Sequence, residues 1–294
     1  MKTLKFACLD NRQVLKISGE EARDFLQGLV SNDLTRVSEN QAIYAALLSP
    51  QGKYLHDFFI AELDGDFYLD CESARVDDLF KRLRMFKLRA KVDLELIEDM
   101  AVVALFGELV HDALSINATP GSALYWLGGI LFTDPRLSEV GARAILPRNA
   151  LEIALQNKKF NKTPLEEYDS LRLSFGLPDS SRDMEVDKTI LLEVGFDELN
   201  GVDFNKGCYV GQELTARTKH RGLIKKRLIP VSFVSAAPAT GTKITQDGKN
   251  AGELRSTAGS FALALLRLDA LQNLSPLLAD GVILTPHKPP WANF

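Results

Sequence analysis

The stretch Phe204-Asn205-Lys206-Gly207-Cys208-Tyr209-Val210-Gly211-Gln212-Glu213 sets two glycines around a cysteine, with a lysine two positions before it. Gly207 and Gly211 point to a backbone that turns sharply or comes close to another segment. The residues that follow, Gln212 to Arg217, read as helix. Cys208 is therefore expected just before a helix N-terminus and beside a cation. Both features lower a thiol's pKa and favour the nucleophilic thiolate. A free cysteine is more commonly a small buried hydrophobe, and that alternative stands beside the reactive one.

Lys206-Gly207-Cys208-Tyr209-x-Gly211-Gln212-Glu213, followed by Ala216-Arg217 and Arg221-Gly222, resembles the signature of the YgfZ-type folate-binding proteins. These are related in fold to the glycine-cleavage T-protein, an aminomethyltransferase. Ser18–Leu34, Tyr44–Ile60, Arg172–Pro178 and Gly252–Ser256 resemble further segments of the family, so the likeness runs through most of the chain. It implies an α+β fold. A T-protein-like folate-binding region of mixed sheets and helices, two interleaved subdomains over 1–225, would precede a small C-terminal β-barrel over 226–294. The resemblance also implies tetrahydrofolate or a derivative as cofactor, and iron–sulfur client or assembly proteins as partners. Cys208 would be the working thiol and Lys206 would hold it ionised. Asn32, Asp57, Glu193, Tyr209 and Arg217 are carried over as folate-binding or site-lining residues, with Gly207, Gly211, Gln212 and Glu213 completing the motif.

Two positions depart from the T-protein branch. Two adjacent acids follow its glycine turn, and here the pair is His56-Asp57. A glutamate of that branch is replaced by Ser174, which cannot grip a pterin's paired N–H edge as a carboxylate does. The YgfZ-type branch typically lacks that acid too. The departures favour an accessory folate-binding factor over a transferase. Aminomethyl transfer, and a folate-dependent role in tRNA modification, remain the alternatives.

Length and composition are those of an ordinary globular protein: 294 residues, 46% hydrophobic and 25% charged. A net charge of −4 and the absence of an RNA-binding motif disfavour nucleic acid as a partner. The basic runs at 81–91 and 217–227 are solvated faces or local anion sites, and composition does not choose between them. Cys8, Cys71 and Cys208 are odd in number and widely spaced, which argues against a disulfide framework, and no Cys/His cluster predicts a metal site. The opening Met1–Phe6 lacks an apolar leader core and Arg/Ser-rich transit character, and no apolar run approaches the ~18 residues of a membrane span. A cytoplasmic protein without membrane partners is expected.

Local patterning completes the outline. Strands are expected at 4–9 and 13–17, then at 57–63 and 66–71 around Asp64-Gly65, and at 91–97 and 100–106. Ser18 and Glu21 have capping-box spacing before an apolar stripe of Ala22, Phe25, Leu26 and Leu29. Ser73 is expected to cap a helix over 74–87, and a further helix is expected at 149–160. Pro164 opens another, with Tyr168, Leu171, Arg172 and Phe175 at helical spacing and Gly176 as its stop. From Lys226 onward, glycines and turns every few residues predict small all-β structure.

Overall fold

The computed structural model describes residues 3–149, 151–222 and 224–293. Met1 and Lys2 of the opening, Ala150 of the helix expected at 149–160, Leu223 of the second basic run and Phe294 of the barrel region lie outside the described residues. The strands, in chain order, are β1 (Lys5–Cys8), β2 (Arg12–Ser18), β3 (Ile43–Leu48), β4 (Tyr54–Leu63), β5 (Asp66–Glu72), β6 (Asp93–Ile97), β7 (Met100–Phe106), β8 (Ala123–Trp126), β9 (Gly129–Thr133), β10 (Ala142–Pro147) and β11 (Asn161–Lys162). After them come β12 (Lys226–Ser232), β13 (Lys243–Gln246), β14 (Lys249–Ala258), β15 (Phe261–Arg267), β16 (Leu277–Ala279) and β17 (Val282–Pro286). A five-stranded sheet runs β3-β4-β5-β2-β6, and a six-stranded sheet runs β11-β1-β7-β10-β9-β8. The closed barrel has the order β12-β15-β14-β13-β16-β17.

β1 and β2 are neighbours in sequence but enter different sheets. Phe6 pairs with Leu105 on β7, whereas Leu15 pairs with Leu69 on β5 and Leu96 on β6. Alternation along β4 then sorts the core. Phe58 and Ile60 face the helices Ala22–Gln27 and Val76–Lys87, while Phe59 and Ala61 face the other sheet. Asp64 and Gly65 both take positive φ, 53° and 82°, the hairpin geometry that matches strand twist.

Two expected helix caps do not form. Ser18 ends β2, and Glu21 instead accepts the Lys91 N–H at 2.6 Å, which leaves Ala22–Gln27 without a side-chain cap. Ser73 opens a 3₁₀ turn, Ser73–Arg75, and the following helix starts from Arg75. In both places a tertiary contact or a tighter turn takes the role that local spacing assigned to a cap.

At the centre, buried charges replace apolar packing. Asp70 on β5 is fully buried; one oxygen accepts from Arg12 Nε at 2.5 Å, and the other from Arg143 Nε and Nη2 at 2.9 and 2.5 Å. Arg12 lies on β2 and Arg143 on β10, so this carboxylate joins the two sheets. Arg172, on the helix Leu165–Ser174, donates to Asp169 at 2.6 Å, to Asp183 at 2.8 Å and to Ser256 on β14 at 3.0 Å, which ties in the barrel. Asp134 holds Arg136 through two bonds of 3.0 and 2.8 Å. The guanidiniums of Arg143, Arg136 and Arg12 lie 4.1, 4.8 and 5.9 Å from the centre of the Phe59 ring. Burial pushes Arg12 and Arg136 towards the neutral form, but Asp70 and Asp134 outweigh it and both stay above the ordinary arginine value.

Removing one partner of such a pair leaves its mate charged and dry. Asp70→Asn is expected to cost about 3–5 kcal/mol, read from urea denaturation. A loss below about 1 kcal/mol would show that Asp70 does not hold the sheets together.

Candidate functional site

The Cys208 loop is fixed at both ends and open in the middle. Asp203 Oδ1 accepts from the N–H groups of Asn205 and Lys206 at 2.7 and 3.2 Å, which sets the turn. The Lys206 ammonium then donates to the carbonyls of Gln27, Val30 and Asn32 at 2.8, 2.7 and 2.7 Å. These carbonyls close the helix Ala22–Gln27 and the turn after it, where free acceptors collect. All three lysine protons are thereby taken. The expectation that Lys206 keeps the Cys208 thiolate ionised is corrected: Lys206 is a capping cation, and its ammonium sits 5.1 Å from the Tyr209 ring centre. Burial pushes Lys206 down to about 8, with Asp33 and Asp203 opposing.

The motif glycines divide in role. Gly211 has φ +81°, and a Cβ there would lie 2.4 Å from Ser49 O and 2.8 Å from Leu48 Cβ. Gly52, in the β3–β4 turn, faces it: a Cβ there would lie 2.7 Å from Gly211 O and 2.6 Å from Leu214 Cβ. Gly211 thus meets the close approach that its spacing implied. Gly207 does not, since nothing lies within 4 Å of the position its Cβ would take. Gln212 opens the helix Gln212–Arg221 and its Oε1 accepts from Tyr209 N at 3.1 Å. Cys208 precedes that helix by four positions, a looser adjacency than expected. Glu213 is exposed and pairs with Arg217 at 3.3 Å.

Among the three cysteines, Cys208 is exposed, Cys8 half-buried and Cys71 buried. Burial raises the Cys8 thiol and pushes Cys71 up to about 12. Cys208 is the thiol that a partner can reach.

Of the residues carried over for folate, Tyr209 lies in the loop and Arg217 is exposed on the helix after it, whereas Asn32 and Asp57 are taken up internally. Asn32 is buried; its Nδ2 donates to the carbonyls of Tyr44 and Asn200, both at 2.7 Å. Asp57 accepts from the hydroxyls of Tyr44 and Tyr54 at 2.9 and 2.8 Å. Ser174 turns back on its own helix to Leu171 O at 2.7 Å. The space beside Asp57 amounts to about 10 Å³, walled by Arg12, Arg136, Arg143 and Phe59. A small-molecule site takes roughly 300 Å³ or more. The space beside Asp57 is therefore too small for a pterin, with Arg12, Arg136 and Arg143 around it. Glu193 lies away from them, in a recess against the barrel, where burial raises its carboxyl.

The sequence reading missed the charged lattice. Its signal was single charges inside otherwise apolar strands, Asp70 in Phe67–Cys71 and Arg143 in Ala142–Leu146. His56 is also buried, with Nε2 at 2.9 Å from Asp78. Burial, helped by Arg75 and opposed by Asp78, pushes His56 from its ordinary 6.5 to about 4. The folded state thus holds the proton more weakly than the unfolded chain, so stability is complete above pH 6.5 and lost as pH falls towards 4. Between those values the wild type is expected to lose on the order of 3 kcal/mol more than His56→Gln, measured by urea denaturation at each pH. Equal loss in both would remove His56 as the cause. Gly211→Ala should cost about 1–3 kcal/mol and Gly207→Ala within about 0.5, compared by thermal melting.

Comparison with known proteins agrees with this architecture. Residues 9–119 match the GCVT N-terminal domain, and residues 225–294 match the CAF17 C-terminal beta-barrel domain. Aminomethyltransferase T of the glycine cleavage system from Bartonella henselae superposes with a TM-score of 0.79 over 99% of this chain and 87% of its own, at 17% identity, which establishes the T-protein-like fold. The mitochondrial iron–sulfur cluster assembly factor IBA57 of Homo sapiens is 34% identical over 97% of this chain and 85% of its own length. That of Mus musculus is 32% identical over 96% and 84%. These relatives are mitochondrial proteins, which overturns the expected cytoplasmic location. With relatedness at this level along nearly its whole length, the chain belongs to the family of the iron–sulfur cluster assembly factor IBA57.

Proposed function

We propose that the chain is an iron–sulfur cluster assembly factor that presents Cys208 to a cluster carried by a partner protein. The observation that carries this is the loop itself: Lys206 and Gly211 pin its ends while Cys208 stands in solvent. The names of the relatives and the YgfZ-type likeness of the motif support the same reading. Among the described residues, no three His, Cys, Asp or Glu side chains gather into a group that could hold a metal ion. Clusters usually take four thiolates, so one ligand would come from Cys208 and the others from the partner. The step is a ligand exchange without redox change. The Cys208 thiol gives its proton to solvent, its sulfur forms a bond to iron, and the ligand it replaces leaves.

A reduced folate enters no step of this ligand exchange, and the match to the GCVT N-terminal domain supports one as a further ligand. Aminomethyl transfer is disfavoured because Ser174 and His56 stand where the T-protein resemblance places acids.

Two measurements test the proposal. In peptide mapping after brief alkylation at pH 7, Cys208 should label at least tenfold faster than Cys8 or Cys71. In a host lacking the gene, wild type should restore iron–sulfur enzyme activities and Cys208→Ala should not, although the variant melts normally. If Cys208→Ala restores them fully, or if glycine cleavage alone depends on the gene, the proposal is lost.

A further inference from the structure

The helix Val76–Lys87 buries one side and leaves its last turn apolar in water. Leu79 and Leu83 are fully buried, in one core with Phe58 and Ile60 of β4. Beyond them Met85, Phe86 and Leu88 are 75%, 44% and 87% exposed, three large apolar side chains within four residues. Single apolar residues on a surface are ordinary, but a cluster marks a contact. Leu88 is the sharpest case. Its φ of +46° is a conformation that a residue with a Cβ adopts at a cost, and it ends the helix with the leucine in solvent. Neither that backbone nor that exposure serves the fold.

The same segment carries unmatched cations. Arg82 pairs with Asp78 at 2.8 Å, Lys87 with Asp93 at 3.4 Å and Lys91 with Glu20 at 2.7 Å. Lys81, Arg84 and Arg89 are exposed and, among the described residues, make no ion pair. Asp77, one turn before Lys81, is exposed as well and offsets one of these charges. Lys81, Arg84 and Met85 stand three and four positions apart, so cationic and apolar groups share the outward face. Long basic stems can lie along apolar side chains while their charged ends reach for anions.

Three apolar side chains are too few for a stable protein interface, which takes roughly 20–30 residues a side. They suit shallow insertion into a lipid surface, where apolar groups enter between headgroups and cations meet phosphates. Among the described residues no helix is long and apolar enough to cross a membrane, so the contact is with a surface. We infer that the end of this helix docks on an anionic phospholipid bilayer, with Met85, Phe86 and Leu88 inserted and Lys81, Arg84 and Arg89 against lipid phosphates. This replaces the expectation that the chain meets no membrane. The surface shares no residue with the Cys208 motif, and either reading can fail alone.

Flotation of the full chain with lipid vesicles tests it. The chain should float with phosphatidylcholine vesicles that carry about a third phosphatidylglycerol and stay behind with pure phosphatidylcholine. Two double changes at exposed positions, Met85→Ser with Leu88→Ser and Lys81→Glu with Arg84→Glu, should each weaken binding at least tenfold. Lys243→Glu with Lys249→Glu, the same charge change on exposed barrel positions, and Cys208→Ser should float like the wild type. Leu88→Gly relieves the backbone, so it should melt no lower than the wild type and still float less. Flotation without regard to lipid charge, wild-type binding by the Met85/Leu88 variant, or an equal loss in the barrel variant overturns the inference. So does absence of flotation, whether the patch then proves to hold two copies together in sedimentation velocity or to retain the chain on polyglutamate as an acidic protein would.

Discussion

The Asp70 carboxylate accepts from Arg12 of its own sheet and from Arg143 of the other, and both bonds form only when the two sheets have met. Until then three charged groups must either stay hydrated or lose water without compensation, a penalty of several kcal/mol per ion. The lattice therefore adds little net stability over a well-packed apolar centre, yet it discriminates strongly among arrangements. A slip of β5 by one residue would turn Asp70 to the other face of its sheet and leave both arginines unpaired. Arg172 extends the same logic to the barrel through Ser256, so three sheets share one set of mutually dependent bonds. Phe59 completes it by offering its ring face to three guanidiniums.

The same lattice also fills the space beside Asp57. The chain keeps the layered T-protein-like architecture, but its interior is occupied by its own side chains. Cys208 stands at the rim, on an exposed loop. Architecture alone thus does not carry an activity across. Here the same sheets that could surround a ligand instead surround arginines.

The strands and most helices were legible because their signals are local. Period-two alternation, the Asp64-Gly65 turn and the Pro164–Gly176 helix each lie within a dozen residues and appear as expected. The failures share one physical cause. Glu21 was assigned to a capping box but bonds Lys91, and Lys206 was assigned to Cys208 but caps a helix end far away in sequence. In each case a side chain with a local partner available took a distant one that satisfies more buried groups. Gly211 and Gly207 show the same limit: identical residues in one motif, one pressed against Ser49 and Gly52, the other facing open space. Asn32 and Asp57 were singled out from the family likeness, and their bonds serve the protein's own backbone and tyrosines.

The division of β1 and β2 between two sheets bears on how the protein is made. A ribosome releases Lys5–Cys8 well before their partners, since Lys5 pairs with Phe106 on one side and with Asn161 on the other. The growing chain must therefore carry its first strand unpaired while the five-stranded sheet, whose strands end at Ile97, can already assemble beside it. Contacts this far apart close slowly and leave strand edges open to other chains. Arg12 is held in the same suspense, since its partner Ser180 is translated later still. Strand β1 is thus synthesised long before it can find its place, which makes the emerging polypeptide a natural client for chaperones well before its final barrel exists.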